Sequence, residues 1–351
     1  MTQYLFKKKK VLVAVKLFDR CLSFFCKNKG EVPQVIQKIV LSNMAHLGDL
    51  VMATAILPLL RKAFPQATIG MVIGSWNKEV LQNHPLIDEI YLFDHIKLNR
   101  MDRGFFRKLW RHFRTRYSTL KGLRRAQYDV AIDLYYYFPN ASVLFWQAAI
   151  PVRMGYSSGG LGPLFTHLFH YEEKDQYLAQ YYLPFLEALR IPHELFPLLH
   201  TTLPISSVVP GNYLVIHMGV GDPQREWGDQ KWAELIQLFD RNHIPLVFTG
   251  SGVKEERRIH QLQNREGQNL CNRLNFSEFL LCVKGALLTI SPDTGIIHLA
   301  AALEIPSLVL FSKEVNPHQR IQNDAITIKM HLTDSPQEVY EKAMCMLNLS
   351  K

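Results

Sequence analysis

Two phosphate-binding signatures are missing from this sequence. No GxGxxG follows a strand-like run and no GxxxxGKS or GxxxxGKT occurs, which excludes a glycine-fingerprint dehydrogenase and a P-loop enzyme. The five cysteines, Cys21, Cys26, Cys271, Cys282 and Cys345, form no CxxC pair and no Cys/His set at zinc spacing. Reduced thiols of a cytoplasmic protein are therefore expected, with no structural metal. No uninterrupted apolar run approaches the roughly 18 residues that span a bilayer. Even "FKKKKVLVAVKLFDRCLSFFCK" (6–27), where lysines precede an apolar stretch, is broken by Lys16, Asp19 and Arg20 and has no small-residue cleavage site after it, so neither a signal peptide nor a membrane span is expected. Low-complexity tracts and internal repeats are lacking too, and an apolar fraction of 48% with 20% charged residues excludes a largely disordered chain.

What is present points to two α/β domains. At 351 residues the chain exceeds one ordinary core. Short apolar, β-branched runs alternate with helical patterns at 38–44, 67–73, 87–93, 128–135 and 152–156, and again at 212–218, 244–250, 285–291 and 305–311, as buried parallel strands do. Between the two series lies "IPHELFPLLHTTLPISSVVPG" (191–211), with four prolines and no periodicity. We read residues 1–36 as a basic amphipathic extension, 37–190 as an amino-terminal Rossmann-like domain, 191–211 as the linker and 212–351 as a second Rossmann-like domain, the two facing each other across a cleft. The net charge of +9 is uneven: residues 1–36 hold eight Lys/Arg against two acids and 95–125 hold eleven against one, so the remainder is net acidic.

Four segments carry candidate chemistry. In "NMAHLGDLVMATAILPLLRKAFP" (43–65) a strand end meets a Gly-Asp pair and a long apolar helical pattern containing a proline; Asp49 there either caps the helix or faces a cleft and takes a proton. In "LLTISPDTGIIHLAAAL" (287–303) a strand runs through Asp293, Thr294 and Gly295 into a helix, whose free N–H groups and positive dipole end make an anion site. His298 lies one turn further in; the plainer account has Asp293 or Thr294 as a cap and His298 as a core histidine. "IHMGVGDPQREWGDQKWAELIQLF" (216–239) leaves a strand through a glycine-rich loop that presents Arg225, either a clamp on a diphosphate or a solvated arginine. "TGSGVKEERR" (249–258) ends another strand with glycines followed by Glu255 and Glu256, either of which could accept hydrogen bonds from ribose hydroxyls or simply suit a first helical turn.

Together, "HLGDLVMATAILPLLRKAFP", "QREWGDQKWAEL", "TGSGVKEER" and "SPDTGIIHLAAALEIPSLVLF" resemble glycosyltransferase family 9, the heptosyltransferases of the lipopolysaccharide inner core, in the right order over about residues 37–320. The resemblance implies an α/β fold of GT-B type and an inverting transfer that needs no metal and no cofactor, the nucleotide sugar being a substrate, with ADP-heptose the expected donor, and the acceptor a lipopolysaccharide core or related glycolipid. It implies that Asp49 is the catalytic base, ionised at its helix start, and that Arg225 holds the donor phosphates. Thr294, Gly295 and His298 correspond to the diphosphate loop, Asp293 to a donor-sugar contact, Glu255 or Glu256 to the ribose-binding acid, and Gly48 joins this donor set. Arg225 replaces a commoner lysine, Gly228 stands where a proline often follows the tryptophan, and His46 is unusual before Leu47-Gly48-Asp49.

Two other classes fit parts of the chain. A nucleotide-sugar epimerase would use the same two domains without an acceptor. A nucleic-acid-binding protein would explain the interleaved arginines and aromatics of 95–125 but leaves the anion site unexplained, so no nucleic-acid partner is expected. In that stretch Phe106, Trp110, Phe113, Tyr117 and Leu120 fall at helical spacing beside Arg103, Arg107, Arg111, Arg114 and Arg125. The stripe either joins the core or, with an amphipathic helix carrying Leu12, Val15, Phe18, Leu22 and Phe25, meets an anionic membrane, giving a peripheral protein on the inner face of the bacterial inner membrane.

Overall fold

A computed structural model of the chain describes residues 4–6, 8–26, 30–99, 104–192, 211–262, 267–321 and 324–349. Residues 193–210 of the expected linker and Arg103 lie outside the described residues. The chain divides into two compact units, Met1–Lys174 with Ala179–Leu199, and Asp175–Leu178 with His200–Lys351.

Unit 1 runs α1 (Lys9–Phe25), β1 (Lys38–Asn43), α2 (Leu47–Ala53), α3 (Leu57–Ala63), β2 (Thr68–Ile73), α4 (Lys78–Leu81) and β3 (Glu89–Leu92). It continues with α5 (Phe105–Ala126), β4 (Val130–Asp133), α6 (Ser142–Gln147), β5 (Val152–Tyr156), β6 (His167–Phe169) and α7 (Leu183–Ala188). Unit 2 runs β7 (Leu214–His217), α8 (Asp229–Arg241), β8 (Leu246–Thr249), α9 (Val253–Leu262), β9 (Gln268–Asn269) and α10 (Phe276–Gly285). It ends with β10 (Leu288–Pro292), α11 (Gly295–Ala302), β11 (Ser307–Phe311), α12 (Pro317–Arg320), β12 (Thr327–His331) and α13 (Pro336–Leu349).

Each unit holds a six-stranded sheet whose described pairings are all parallel, in the orders β3-β2-β1-β4-β5-β6 and β9-β8-β7-β10-β11-β12. The chain reverses direction between β1 and β4 in one and between β7 and β10 in the other. Ligands of doubly wound sheets bind outside the carboxyl ends of the strands at these switch points. The central strands are buried on both faces, Ile39, Val40 and Leu41 at 0% exposure among them, which is why they read as continuous apolar runs. In unit 2, α8 packs Trp232, Leu235, Ile236 and Phe239 onto the sheet at helical spacing. Truncating one of its aromatics would cost about 3–5 kcal/mol.

Two expected helices differ from the pattern. The apolar stretch 47–63 is broken into α2, a 3-10 turn at Thr54–Ile56 and α3, because Pro58 lacks an N–H and fits only a first turn. On α1 the body-facing side is Leu12, Val15, Asp19 and Leu22, while Phe18 and Phe25 are exposed. Asp19 is buried at its centre, accepting from Tyr4 Oη (2.9 Å) and Leu161 N (2.9 Å), and burial raises its pKa. Among the described residues no helix is long and apolar enough to cross a membrane.

Candidate active site

In unit 2 the loops after β7, β8 and β10 converge at the β7/β10 switch point. Arg225, in a short 3-10 turn braced by the Asp222 side chain, donates from Nη1 to the carbonyl of Asp293 (2.8 Å). The same nitrogen lies 3.1 Å from Asp293 Oδ2, an ion-pair distance whose angle makes no hydrogen bond, so this buried oxygen has no hydrogen bond of its own. Buried carboxylate oxygens are seldom left that way, and one at a sheet edge suits a ligand hydroxyl. Trp227 fixes the loop: it is 4% exposed and meets Trp232 edge-on at 4.9 Å. Gly228 then starts α8 at φ +92°, a backbone that proline cannot adopt, which accounts for the residue found there.

Thr294 is the extended N-cap of α11 and does not cap it with its side chain; its hydroxyl lies 3.3 Å from that of Ser291. The first amides of α11 therefore point outward from the end of β10 with the dipole behind them, a geometry that receives oxyanions. His298 is 5% exposed, and burial, with the positive charges of Arg320 and Arg225, pulls its pKa down to about 3. It is a neutral hydrogen-bonding group, not a cation.

The two glutamates separate. Glu255 accepts from Ser251 N (2.9 Å), and its carboxylate fills the space above the backbones of Gly219 and Gly250, where a Cβ on either glycine would collide with it. Burial raises its pKa. Glu256 instead accepts from Asn272 Nδ2 (3.0 Å), whose Oδ1 accepts from Gly252 N (2.7 Å). Glu255 thus stands at the carboxyl ends of β7 and β8, and Glu256 does not.

In unit 1 Asp49 sits half-buried in the first turn of α2, beside Gly48, and its Oδ2 accepts from His46 N at 3.3 Å. This capping-box contact is long, and it gives His46 the N-cap position. The loop 44–46 is braced: Asn43 Nδ2 donates to the Asp49 carbonyl (2.9 Å), while Trp76 Nε1 and Asn77 Nδ2 both donate to Ala45 O (2.9 and 3.0 Å). Across the β1/β4 switch point, Asp133 is wholly buried and accepts from Ser42 Oγ (2.9 Å), Tyr135 N (3.3 Å) and Ala141 N (2.5 Å), pinning both ends of the loop 134–141. Burial pushes its pKa up to about 7.

The structure thus brings Arg225, Asp293, Thr294, Gly295, His298 and Glu255 to one sheet edge of unit 2, and places Asp49 and Gly48 at the corresponding edge of unit 1. Sequence reasoning missed Asp133, His217 and Arg320. Asp133 ends the apolar run "YDVAID", and His217, whose Nδ1 lies 3.1 Å from Thr249 Oγ1, ends "YLVIH"; a polar residue closing a buried strand is the signal for both. Arg320 carries none, since it reaches His298 only through the placement of α12. Among the described residues no group of three or more His, Cys, Asp or Glu side chains is placed to hold a metal ion.

Comparison with known proteins adds a family. The model of glycosyltransferase family 9 (heptosyltransferase) matches residues 116–346. Lipopolysaccharide heptosyltransferase 1 of Pseudomonas aeruginosa is 23% identical over 292 residues, 78% of each chain. In three dimensions the chain is similar to a family 9 glycosyltransferase from Veillonella parvula (TM-score 0.74, 20% identity, 92% of this chain and 100% of that one). It is also similar to E. coli ADP-heptose LPS heptosyltransferase II (TM-score 0.71, 19% identity, 90% and 99%).

Proposed function

The chain belongs to glycosyltransferase family 9, and from that premise we propose that it moves heptose from ADP-heptose onto a lipopolysaccharide core or related glycolipid, with inversion and without a metal ion or other cofactor. Relatives named for ADP-heptose and for lipopolysaccharide support the choice of donor and acceptor. The observation that carries the reading is the meeting of Arg225 with Asp293 at the amino-terminal end of α11. There the diphosphate takes the guanidinium on one side and the amides of Gly295 and its neighbours, the Thr294 hydroxyl and the neutral His298 on the other. Glu255 accepts from the ribose hydroxyls, and Asp293 Oδ2 from a hydroxyl of the sugar.

In the reaction Asp49 takes the proton of the acceptor hydroxyl as that oxygen attacks the anomeric carbon. The bond from this carbon to the diphosphate oxygen breaks, and a single displacement inverts the centre. Charge gathers on the β-phosphate as it leaves, so Arg225 and the α11 amides hold the transition state more tightly than the bound donor. The acceptor is lipid-linked, which sets the reaction at the inner face of the bacterial inner membrane with the enzyme attached peripherally.

The test is direct. Purified protein with ADP-heptose and a heptose-free inner-core glycolipid is expected to add one heptose by mass and release one ADP per heptose, the new linkage having the opposite anomeric configuration. Epimerised donor appearing without acceptor, or no heptose added, would overturn the reading.

A further inference from the structure

Helix α5 has 22 residues, of which only Thr119 and Leu123 are buried. Phe106, Trp110, Phe113 and Tyr117, spaced by four, three and four, expose 83%, 58%, 60% and 70% of their surfaces on one face. The helix carries eight Lys or Arg residues and no acid. Among the described residues Asp94 pairs with Arg111 (2.8 Å), and no carboxylate pairs with Arg107, Lys108 or Arg114. Its carboxyl-terminal half is tied to the sheet, Thr119 Oγ1 donating to Leu92 O (2.7 Å) and Gly122 packing on Tyr91. The amino-terminal half, at the carboxyl edge of the sheet, exposes Phe105, Phe106, Trp110 and Phe113.

The aromatic strip continues beyond the helix. Ring contacts run from Phe113 to His112 (5.3 Å), His95 (5.0 Å), Phe138 (6.2 Å) and Phe6 (6.0 Å), with Lys97 Nζ 4.4 Å above the ring of Phe138. Between α5 and β3 lies an open groove of about 860 Å³ lined by Arg107, Trp110, Arg111, Arg114, Ser118 and Tyr91. Arg111 is held there by Asp94 and by Ser75 Oγ (2.7 Å), and Arg114 lies 4.9 Å over the Trp110 ring.

We propose that this face seats unit 1 on an anionic lipid surface, Phe106, Trp110 and Phe113 entering the headgroup layer and the Arg107/Arg114 groove receiving lipid phosphates. Aromatics along one side of a helix with bases flanking them and no acid is the composition of an interfacial helix. A second copy of the chain is disfavoured as the occupant, since a symmetric contact would oppose two strongly positive helices. A single-stranded RNA is disfavoured because the rings stand on a convex helix and not in a groove that tracks a strand. The purpose of the docking rests on the glycolipid-acceptor reading; the docking itself is measured without it.

The experiment uses the full chain and vesicles of phosphatidylcholine with or without phosphatidylglycerol. Wild-type protein is expected to co-sediment with the anionic vesicles only and to be released near 0.5 M salt, where the Debye length is about 4 Å. Trp110→Ser/Phe113→Ser and Arg107→Glu/Arg114→Glu, all at exposed positions, should melt like the wild type yet each weaken vesicle binding at least about tenfold. Unchanged binding in both variants, equal binding to neutral vesicles, or no vesicle binding would overturn the proposal. So would a dimer that Trp110→Ser/Phe113→Ser dissolves, or salt-sensitive RNA binding in place of vesicle binding. Both variants should keep wild-type transfer to a deacylated, water-soluble acceptor. Failure of the wild type in that soluble assay would overturn the transferase reading alone.

Discussion

Asp49 and Asp133 end up with opposite assignments at neighbouring strand ends, and their surroundings separate them. Asp49 is half-buried in the first turn of α2, where its Oδ2 accepts from His46 N at 3.3 Å. Asp49→Asn keeps the shape and accepts from His46 N through the amide oxygen, but it takes no proton. We expect transfer to fall at least about a hundredfold, the scale of general-base catalysis, with melting temperature and ADP binding nearly unchanged; a wild-type transfer rate would leave Asp49 only a cap. Asp133 is committed on every side, by two amides and a hydroxyl. Its folded-state pKa of about 7 lies above the ordinary carboxylate value of 3.8, so native stability falls as pH rises between those values and is level above. Asp133→Asn does not titrate, and its stability relative to the wild type should therefore improve by on the order of a few kcal/mol from about pH 4 to pH 7 and then hold steady. Melting curves of the two proteins across that window measure the difference, and a constant gap would show that the Asp133 carboxyl titrates alike in the folded and unfolded chain.

Glycines at strand ends shape the proposed donor site as much as its charged groups do. Gly219 ends the run from β7 and Gly250 the run from β8, and a Cβ on either meets the Glu255 carboxylate. The hard clash is with the far end of a flexible side chain, which moves at little cost to the fold; at Gly250 the Cβ also comes within 3.3 Å of the buried Cys271 Sγ, which must give by only a small shift. Gly250→Ala should therefore leave the melting temperature almost unchanged while swinging Glu255 away, weakening ADP binding at least about tenfold, the equivalent of one charged hydrogen bond of roughly 1.5 kcal/mol. Calorimetric titration with ADP checks it; unaltered affinity would mean that Glu255 does not touch the nucleotide. Elements were legible in the sequence where burial alone decides them. Nine strands announced themselves as apolar runs, the edge strand β3 among them, but β6, β9 and β12 did not: they are edge strands of three, two and five residues, with half-exposed patterns such as the Lys329 and His331 of β12. The stripe of α5 was equally visible, yet periodicity says only that a helix has an apolar face, not what covers it; Tyr117 at 70% exposure and Leu123 at 0% lie on one helix. The same limit held for α1, where the buried Asp19 and not Phe18 faces the body.

At the scale of the whole molecule, two copies of one strand order place the chemistry at two switch points, and this much followed from the alternation of strands and helices. The candidate site was legible wherever a strand end was followed at once by glycine, an acid or a helix start, as at Asp293, Thr294 and Gly295. It was not legible where tertiary placement chooses between equals, as between Glu255 and Glu256, or brings in a distant residue such as Arg320. The positive charge that the proposed reading offers a diphosphate is likewise a property of the assembled sheet edge, where Arg225 meets the amino-terminal end of α11 and Arg320 acts on His298. On that reading a nucleoside diphosphate bound by these groups needs no cation to bridge it. ADP at about a hundredfold above its dissociation constant should then stabilise the full chain by roughly 2.7 kcal/mol, because only the folded sheet edge binds it. The rise in melting temperature should be the same with and without EDTA, and heptose transfer should be equally insensitive. ADP should also protect more than UDP or GDP if the donor is ADP-heptose. Protection or transfer that disappears with EDTA and returns with magnesium would overturn the metal-free assignment, and protection by UDP above ADP would change the nucleotide of the donor.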